Sequence, residues 1–199
     1  MSKTNKPRLY ITYYWRNPDM DPSSQNTGEF HTGLLMTPKK PDRDGNSRDC
    51  LIFHAKDRLQ PHMEVKEWLY QATEMKYRTR TSVALLYLGK VQDTEALQEL
   101  LNTVPVNPRN EPDWKCRQWT DAALNALFQQ VQNASSGQVP VFSPSKGVSF
   151  QLGSGRTIRK AGWDFARAQL KDRVENRELR PTAQIPICDQ DGEQLSSYP

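Results

Sequence analysis

Cysteine and histidine are scarce in this chain, three of each in 199 residues. Cys50, Cys116 and Cys188 lie far apart and form no metal-ligand pair, which excludes a zinc knuckle or a similar thiolate site. An odd number of cysteines without a secretion signal points to free thiols in a reducing compartment, so a cytoplasmic protein is expected. The first residues, Met1 to Arg8, have no apolar core and do not read as a signal peptide. Long apolar runs are missing as well. None approaches the roughly 18 residues that a membrane span requires, so no membrane partner is expected. A glycine-rich phosphate loop is also absent, which removes the usual sign of ATP chemistry, and neither a cofactor nor a metal is called for. No internal repeat is visible, which argues against a solenoid.

What is present is the composition of a globular domain, with 36% hydrophobic and 25% charged residues and five tryptophans. At this length one well-packed domain is expected, covering 1–180, with a long loop or small insertion at 133–159 and a tail at 181–199. The net charge of +4 is concentrated in one place. Residues 156–180 contain eight basic residues (Arg156, Arg159, Lys160, Arg167, Lys171, Arg173, Arg177, Arg180) against four acids (Asp164, Asp172, Glu175, Glu178), which is the whole excess. Such an imbalance favours a polyanionic partner, although solvated helices often look alike.

Along the chain, strand patterns come first. Arg8 to Trp15 is rich in aromatic and β-branched residues, Phe30 to Met36 and Cys50 to Ala55 are short apolar runs, and Glu64 to Thr73 alternates. Ser82 to Val91 is the clearest strand of all. Helices follow. One starts behind Asp93, a second runs from about Asp113 to Gln132 with Asp113 as its cap, and a third carries the stripe Trp163, Ala166, Leu170, Val174. The connection from Pro38 to Asp49 reads as exposed and mobile, and the tail from Pro181 as extended or partly disordered. Strands first and helices later indicate an α+β fold, an antiparallel sheet packed with helices.

Three residues stand out within this layout. Cys116 falls in the first turn of the second helix, where unpaired amides carry partial positive charge and stabilise a thiolate. His31 and His54 sit in apolar strands. His31 shares a face with Gly33 and Leu35, which leaves space beside the imidazole, and it is the expected base for Cys116. If the second and third strands pair, His54 comes close to His31 and orients it, as the third member of a triad does. The amides of Lys115 to Arg117 would then serve as an oxyanion hole. Structural roles compete with each of these. Cys116 aligns with Trp119, Ala123 and Leu127 at helical spacing, as a core thiol does, and a histidine inside an apolar strand is often a satisfied core residue. His62 falls in a loop, and Cys50 and Cys188 have no activating neighbour in sequence.

The order His31, His54, Cys116, with the thiol in Lys115-Cys116-Arg117-Gln118-Trp119 opening a helix after the sheet, resembles the circularly permuted papain-like enzymes. These include the lecithin:retinol acyltransferase group and permuted NlpC-type peptidases. The likeness spans about residues 8–131, with Lys115 where that group usually has Asn and a longer interval between the histidines. It implies acyl transfer through a thioester on Cys116.

A looser likeness covers most of the chain. Arg8-Leu9-Tyr10-Ile11, Phe53-His54-Ala55-Lys56 and Trp114 to Trp119 resemble fungal arginine-containing cyclodipeptide synthases, which join two amino acids delivered on tRNA. That resemblance implies aminoacyl-tRNA as substrate and partner, with Arg156, Arg159, Lys160, Arg167 and Lys171 meeting its phosphates. It further implies a carboxylate that reads the arginyl group, for which Glu29, Asp57 and Asp121 are the candidates. Lys160, Arg167 and Lys171 share a helical face, within roughly 40° at about 100° per residue. Alternatively, their stems cover the flanks of the apolar stripe. The other enzyme readings are a thiol amidase, a peptidase or a lipid acyltransferase on the same residues. A nucleic-acid-binding module in which Cys116 is merely core is the non-enzymatic one.

Overall fold

The computed structural model describes residues 5–16, 30–44, 46–59, 66–134, 140–145, 155–175 and 184–196. Its strands are β1 (Arg8–Trp15), β2 (Phe30–Thr37), β3 (Cys50–Leu59), β4 (Lys66–Met75), β5 (Ser82–Val91), β6 (Phe142–Pro144) and β7 (Ile187–Cys188). Three helices join them: α1 (Thr94–Asn102), α2 (Cys116–Asn133) and α3 (Gly155–Glu175). The sheet runs β4-β3-β2-β1-β5-β6, antiparallel throughout, while β7 adds to β5 in parallel. The class is therefore α+β, with a sheet that is mixed only through β7.

The two faces of the sheet have different covers because strand side chains alternate. On β1, Leu9, Ile11, Tyr13 and Trp15 point to the helical side, where they join Leu34, Phe53, Leu86, Trp119, Leu124, Phe128, Ala166 and Leu170 in the main core. Tyr10 and Tyr14 point the other way, into a second cluster with Leu35, Ile52, Tyr77, Leu85, Ile185 and Ile187. β5 is buried along nearly its whole length, which is why its run Val83-Ala84-Leu85-Leu86-Tyr87-Leu88 is continuous rather than alternating. β4 is the edge, and its Glu67 and Glu74 discourage further strand pairing.

Local chemistry sets the element ends. Asp93 caps α1, its carboxylate accepting from Ala96 N–H at 3.0 Å. α2 starts later than its sequence pattern suggests. Its N-cap is Lys115, not Asp113, and the Lys115 N–H donates to Gln118 Oε1 at 2.6 Å, the reciprocal half of a capping box. α3 lies close to the sheet because Gly162 has no Cβ. One placed there would sit 2.3 Å from the Tyr13 hydroxyl, which donates to the Arg159 carbonyl at 2.7 Å.

Several expectations need correction. β3 continues to Leu59, past the apolar run, because ten residues pair with β4. The interval 133–159, expected as a long loop or small insertion, contains β6 and the first turn of α3. The tail is not loose over 184–196. Ile185, Ile187 and Cys188 are buried, and Leu85 N–H bonds to Pro186 O at 3.0 Å. In the Pro38–Asp49 connection, Asp42 accepts from the amides of Asp44, Asn46 and Ser47, which organises the turn and lowers its carboxyl pKa. Among the described residues, no helix is long and apolar enough to cross a membrane.

Candidate functional site

Cys116 is the first residue of α2 and is only 2% exposed. Its sulfur accepts a hydrogen bond from Arg16 Nη2 at 3.3 Å. Arg16 follows the last residue of β1, so its guanidinium reaches the sulfur from the strand end. Thr32 of β2 stands 4.0 Å from the same sulfur and 3.1 Å from the Thr120 hydroxyl. Thr120 also donates to the Cys116 carbonyl at 3.1 Å, which ties the hydroxyl pair to the start of α2. A guanidinium and the Thr32 hydroxyl therefore stand against a thiol at the first residue of a helix. A cation donating to sulfur at a helix start is an arrangement that favours a nucleophilic cysteine.

The expected His31–Cys116 dyad is not formed. Thr32 points at α2, and the side chain of the adjacent His31 therefore points away from it, through the sheet. His31 and His54 do find each other on the far face, with Nε2 of one 2.6 Å from Nδ1 of the other and rings 4.8 Å apart. One ring donates and the other accepts, so the tautomer of one ring sets that of the other. Gly33 permits this approach, because a Cβ there would lie 2.7 Å from the Phe53 carbonyl oxygen and 2.8 Å from His54 Cβ. Burial, then the charge of Arg16, lowers the His31 pKa to about 4, against an opposing pull from Asp57. Burial, then His31 itself, lowers His54 to about 3, with a hydrogen bond to Gln71 acting the other way. Both rings are neutral at pH 7, and neither serves Cys116.

The remaining candidates divide. Glu29 and His62 lie outside the described residues, as does the side chain of Arg156. Asp57 stands on β3 as an electrostatic neighbour of His31, with no described route to the thiol. Asp121 is engaged rather than open to a substrate guanidinium: Arg159 binds it through Nε at 2.5 Å and Nη2 at 3.3 Å. The basic segment is less available than its composition suggests. Arg173 is buried, donating to the Ser82 and Val83 carbonyls at 2.8 and 3.2 Å. Lys171 is exposed and pairs with Glu175.

Arg159, Lys160 and Arg167 do converge, with Arg117, Gln118, Asp121, Trp163 and Asp164, on a cleft of about 600 Å³ between α2 and α3. Arg117 and Gln118 belong to the same first turn that carries Cys116. Sequence reasoning missed Arg16, Thr32 and Thr120. Thr32 carried a signal, since it is the strand neighbour of His31 on the opposite face; Arg16 carried none. Cys50 and Cys188 remain plain buried thiols, Cys188 pushed up to about 12 by burial and Cys50 further still.

Searches of curated proteins and of solved structures find no match for the chain. A family model does match, over residues 6–141, which include β1 to β5, both helices α1 and α2, Arg16 and Cys116. The chain therefore belongs to DUF6914, a family of unknown function.

Proposed function

We propose that this protein is a cysteine-dependent acyltransferase that takes its acyl group from an aminoacyl-tRNA and builds a cyclic dipeptide. The observation that carries this reading is the Arg16 guanidinium on the sulfur of Cys116, at the first residue of an 18-residue helix. The permuted papain-like resemblance also rests on a thiol that opens a helix packed on a sheet. In this chain the side chains of Arg16 and Thr32 stand 3.3 and 4.0 Å from the Cys116 sulfur, which supports the reading.

In the proposed reaction the Cys116 thiolate attacks the carbonyl carbon of the aminoacyl ester. A C–S bond forms, the C–O bond to the terminal ribose breaks, and the ribose oxygen leaves with a proton. The amine of a second aminoacyl-tRNA then attacks the thioester; a C–N bond forms and the thiolate departs. The free amine of the resulting dipeptidyl ester finally attacks its own ester carbonyl, closing the ring and releasing the second tRNA. The esters are already activated, so no nucleotide triphosphate is consumed. First-turn amides of α2 suit the developing oxyanion.

The test is intact-protein mass spectrometry after brief incubation with arginyl-tRNA, with cyclic dipeptide measured in the same sample. Wild type gains one arginyl mass, Cys116→Ala gains none, and Arg16→Met acquires it about tenfold more slowly at neutral pH. An adduct that persists in Cys116→Ala, or the absence of both adduct and product in wild type, overturns the proposal. The second reading is a nucleic-acid-binding module without covalent chemistry, favoured by the 2% exposure of Cys116. It requires RNA binding by Cys116→Ala at the wild-type level and no trapped acyl group.

A further inference from the structure

The cleft between α2 and α3 combines three properties that seldom coincide by packing alone. Its charge is unbalanced: Arg117, Arg159, Lys160 and Arg167 face Asp121 and Asp164, four cations against two carboxylates. Both carboxylates are committed, Asp121 to Arg159 and Asp164 to Lys160, each at 2.5 Å. Arg117 and Arg167 hold no ion pair to a described residue, and they are two guanidinium forks of the kind that bind phosphate oxygens. An aromatic side chain of α3 lines the cleft as well. Trp163 meets Phe30 edge-on at 5.0 Å and has the Arg159 guanidinium 6.0 Å from its ring centre. The volume, about 600 Å³, is that of a small-ligand site and far too small for a folded partner.

From these we infer that the cleft binds the phosphodiester-linked end of a single RNA strand, a base stacking at Trp163 and the flanking phosphates held by Arg117 and Arg167. Inorganic phosphate alone would use the cations and leave the aromatic wall idle, whereas a base and its phosphates use both. A carboxylate-rich peptide would meet Asp121 and Asp164 in the same space. Since Arg117 adjoins Cys116 in the first turn of α2, the cleft names where the RNA end of the acyl donor docks, and to that extent it rests on the acyl-transfer reading.

The experiment titrates the full-length chain with the trinucleotide CCA carrying a fluorescent label on its 5′ end, followed by anisotropy. Parallel titrations use inorganic phosphate and a phosphoserine peptide as competitors. Saturable binding is expected, weakened at least about tenfold in the Arg117→Gln/Arg167→Gln double variant, with a salt slope shallower by about 1.4 for the two lost contacts. Trp163→Phe, which keeps the aromatic packing, weakens the trinucleotide and leaves displacement by phosphate unchanged. Binding that ignores the double variant overturns the inference, as does phosphate or the phosphopeptide competing as well as the trinucleotide itself.

The two proposals fail separately. Trinucleotide binding without a thioester on Cys116 sinks acyl transfer and leaves the cleft standing. A thioester that forms at the wild-type rate in Arg117→Gln/Arg167→Gln sinks the cleft and leaves the chemistry.

Discussion

At the scale of single residues, the facing imidazoles of His31 and His54 make stability depend on pH in a definite direction. Their folded pKa values, about 4 and about 3, lie below the ordinary 6.5, so the unfolded chain binds more protons between these limits. Their contribution is complete above pH 6.5 and is lost as the pH falls toward 4. At pH 5 the loss is about 2 kcal/mol for each histidine if they titrate independently. Arg16 and Lys56 add to the effect, while Asp57 and Gln71 oppose it. Urea midpoints of wild type at pH 7 and pH 5 should therefore differ clearly, and those of His31→Gln/His54→Gln should differ much less. Equal slopes in the two proteins would dismiss the pair as the source. The pairing itself was legible from period-two alternation in two adjacent strands. The same alternation separates His31 from Cys116, because one step along β2 exchanges the faces. Arg16 was illegible for another reason: it follows the end of β1, where no periodicity says which way a side chain turns.

At the scale of elements, α3 shows why a run of basic residues misleads. Arg173 and Lys171 are two positions apart on the same helix, yet one is buried with its guanidinium on two β5 carbonyls and the other lies in solvent beside Glu175. Arg173→Met keeps the stem and removes the donors, leaving buried carbonyls unsatisfied, for a loss of about 1–3 kcal/mol. Lys171→Met should stay within about 0.5 kcal/mol, as exposed i,i+4 pairs do. Denaturant midpoints at unchanged m-value measure both, and similar values for the two would refute the anchoring role of Arg173. The apolar stripe of α3 was readable from spacing, with Ala166 and Leu170 in the core. Composition counts charges; it says nothing about which of them faces a sheet edge.

At the scale of the whole molecule, the C-terminal segment completes the second core. Ile185 and Ile187 are nearly fully buried on the face opposite the helices, against Tyr10, Tyr14, Leu35 and Leu85. Each buried isoleucine contributes about 1.5–3 kcal/mol, so removing residues 184–199 should cost more than about 3 kcal/mol, a large share of ordinary domain stability. A truncated chain with an unchanged melting temperature would contradict this. The segment looked like a tail because two residues of strand are too few to show a pattern, and its partner lies a hundred positions away, Leu85 opposite Ile187. Sheet order among β1 to β4 follows from successive short-range antiparallel pairings; the parallel closure by β7 has no local cue. That closure also bears on biosynthesis. A ribosome makes Ile187 roughly a hundred residues after Leu85, so until that segment emerges the nascent protein carries a tyrosine-lined surface still uncovered. The second core must therefore wait for that segment, and in the interval the chain is a client for whatever shields apolar surface in the cell.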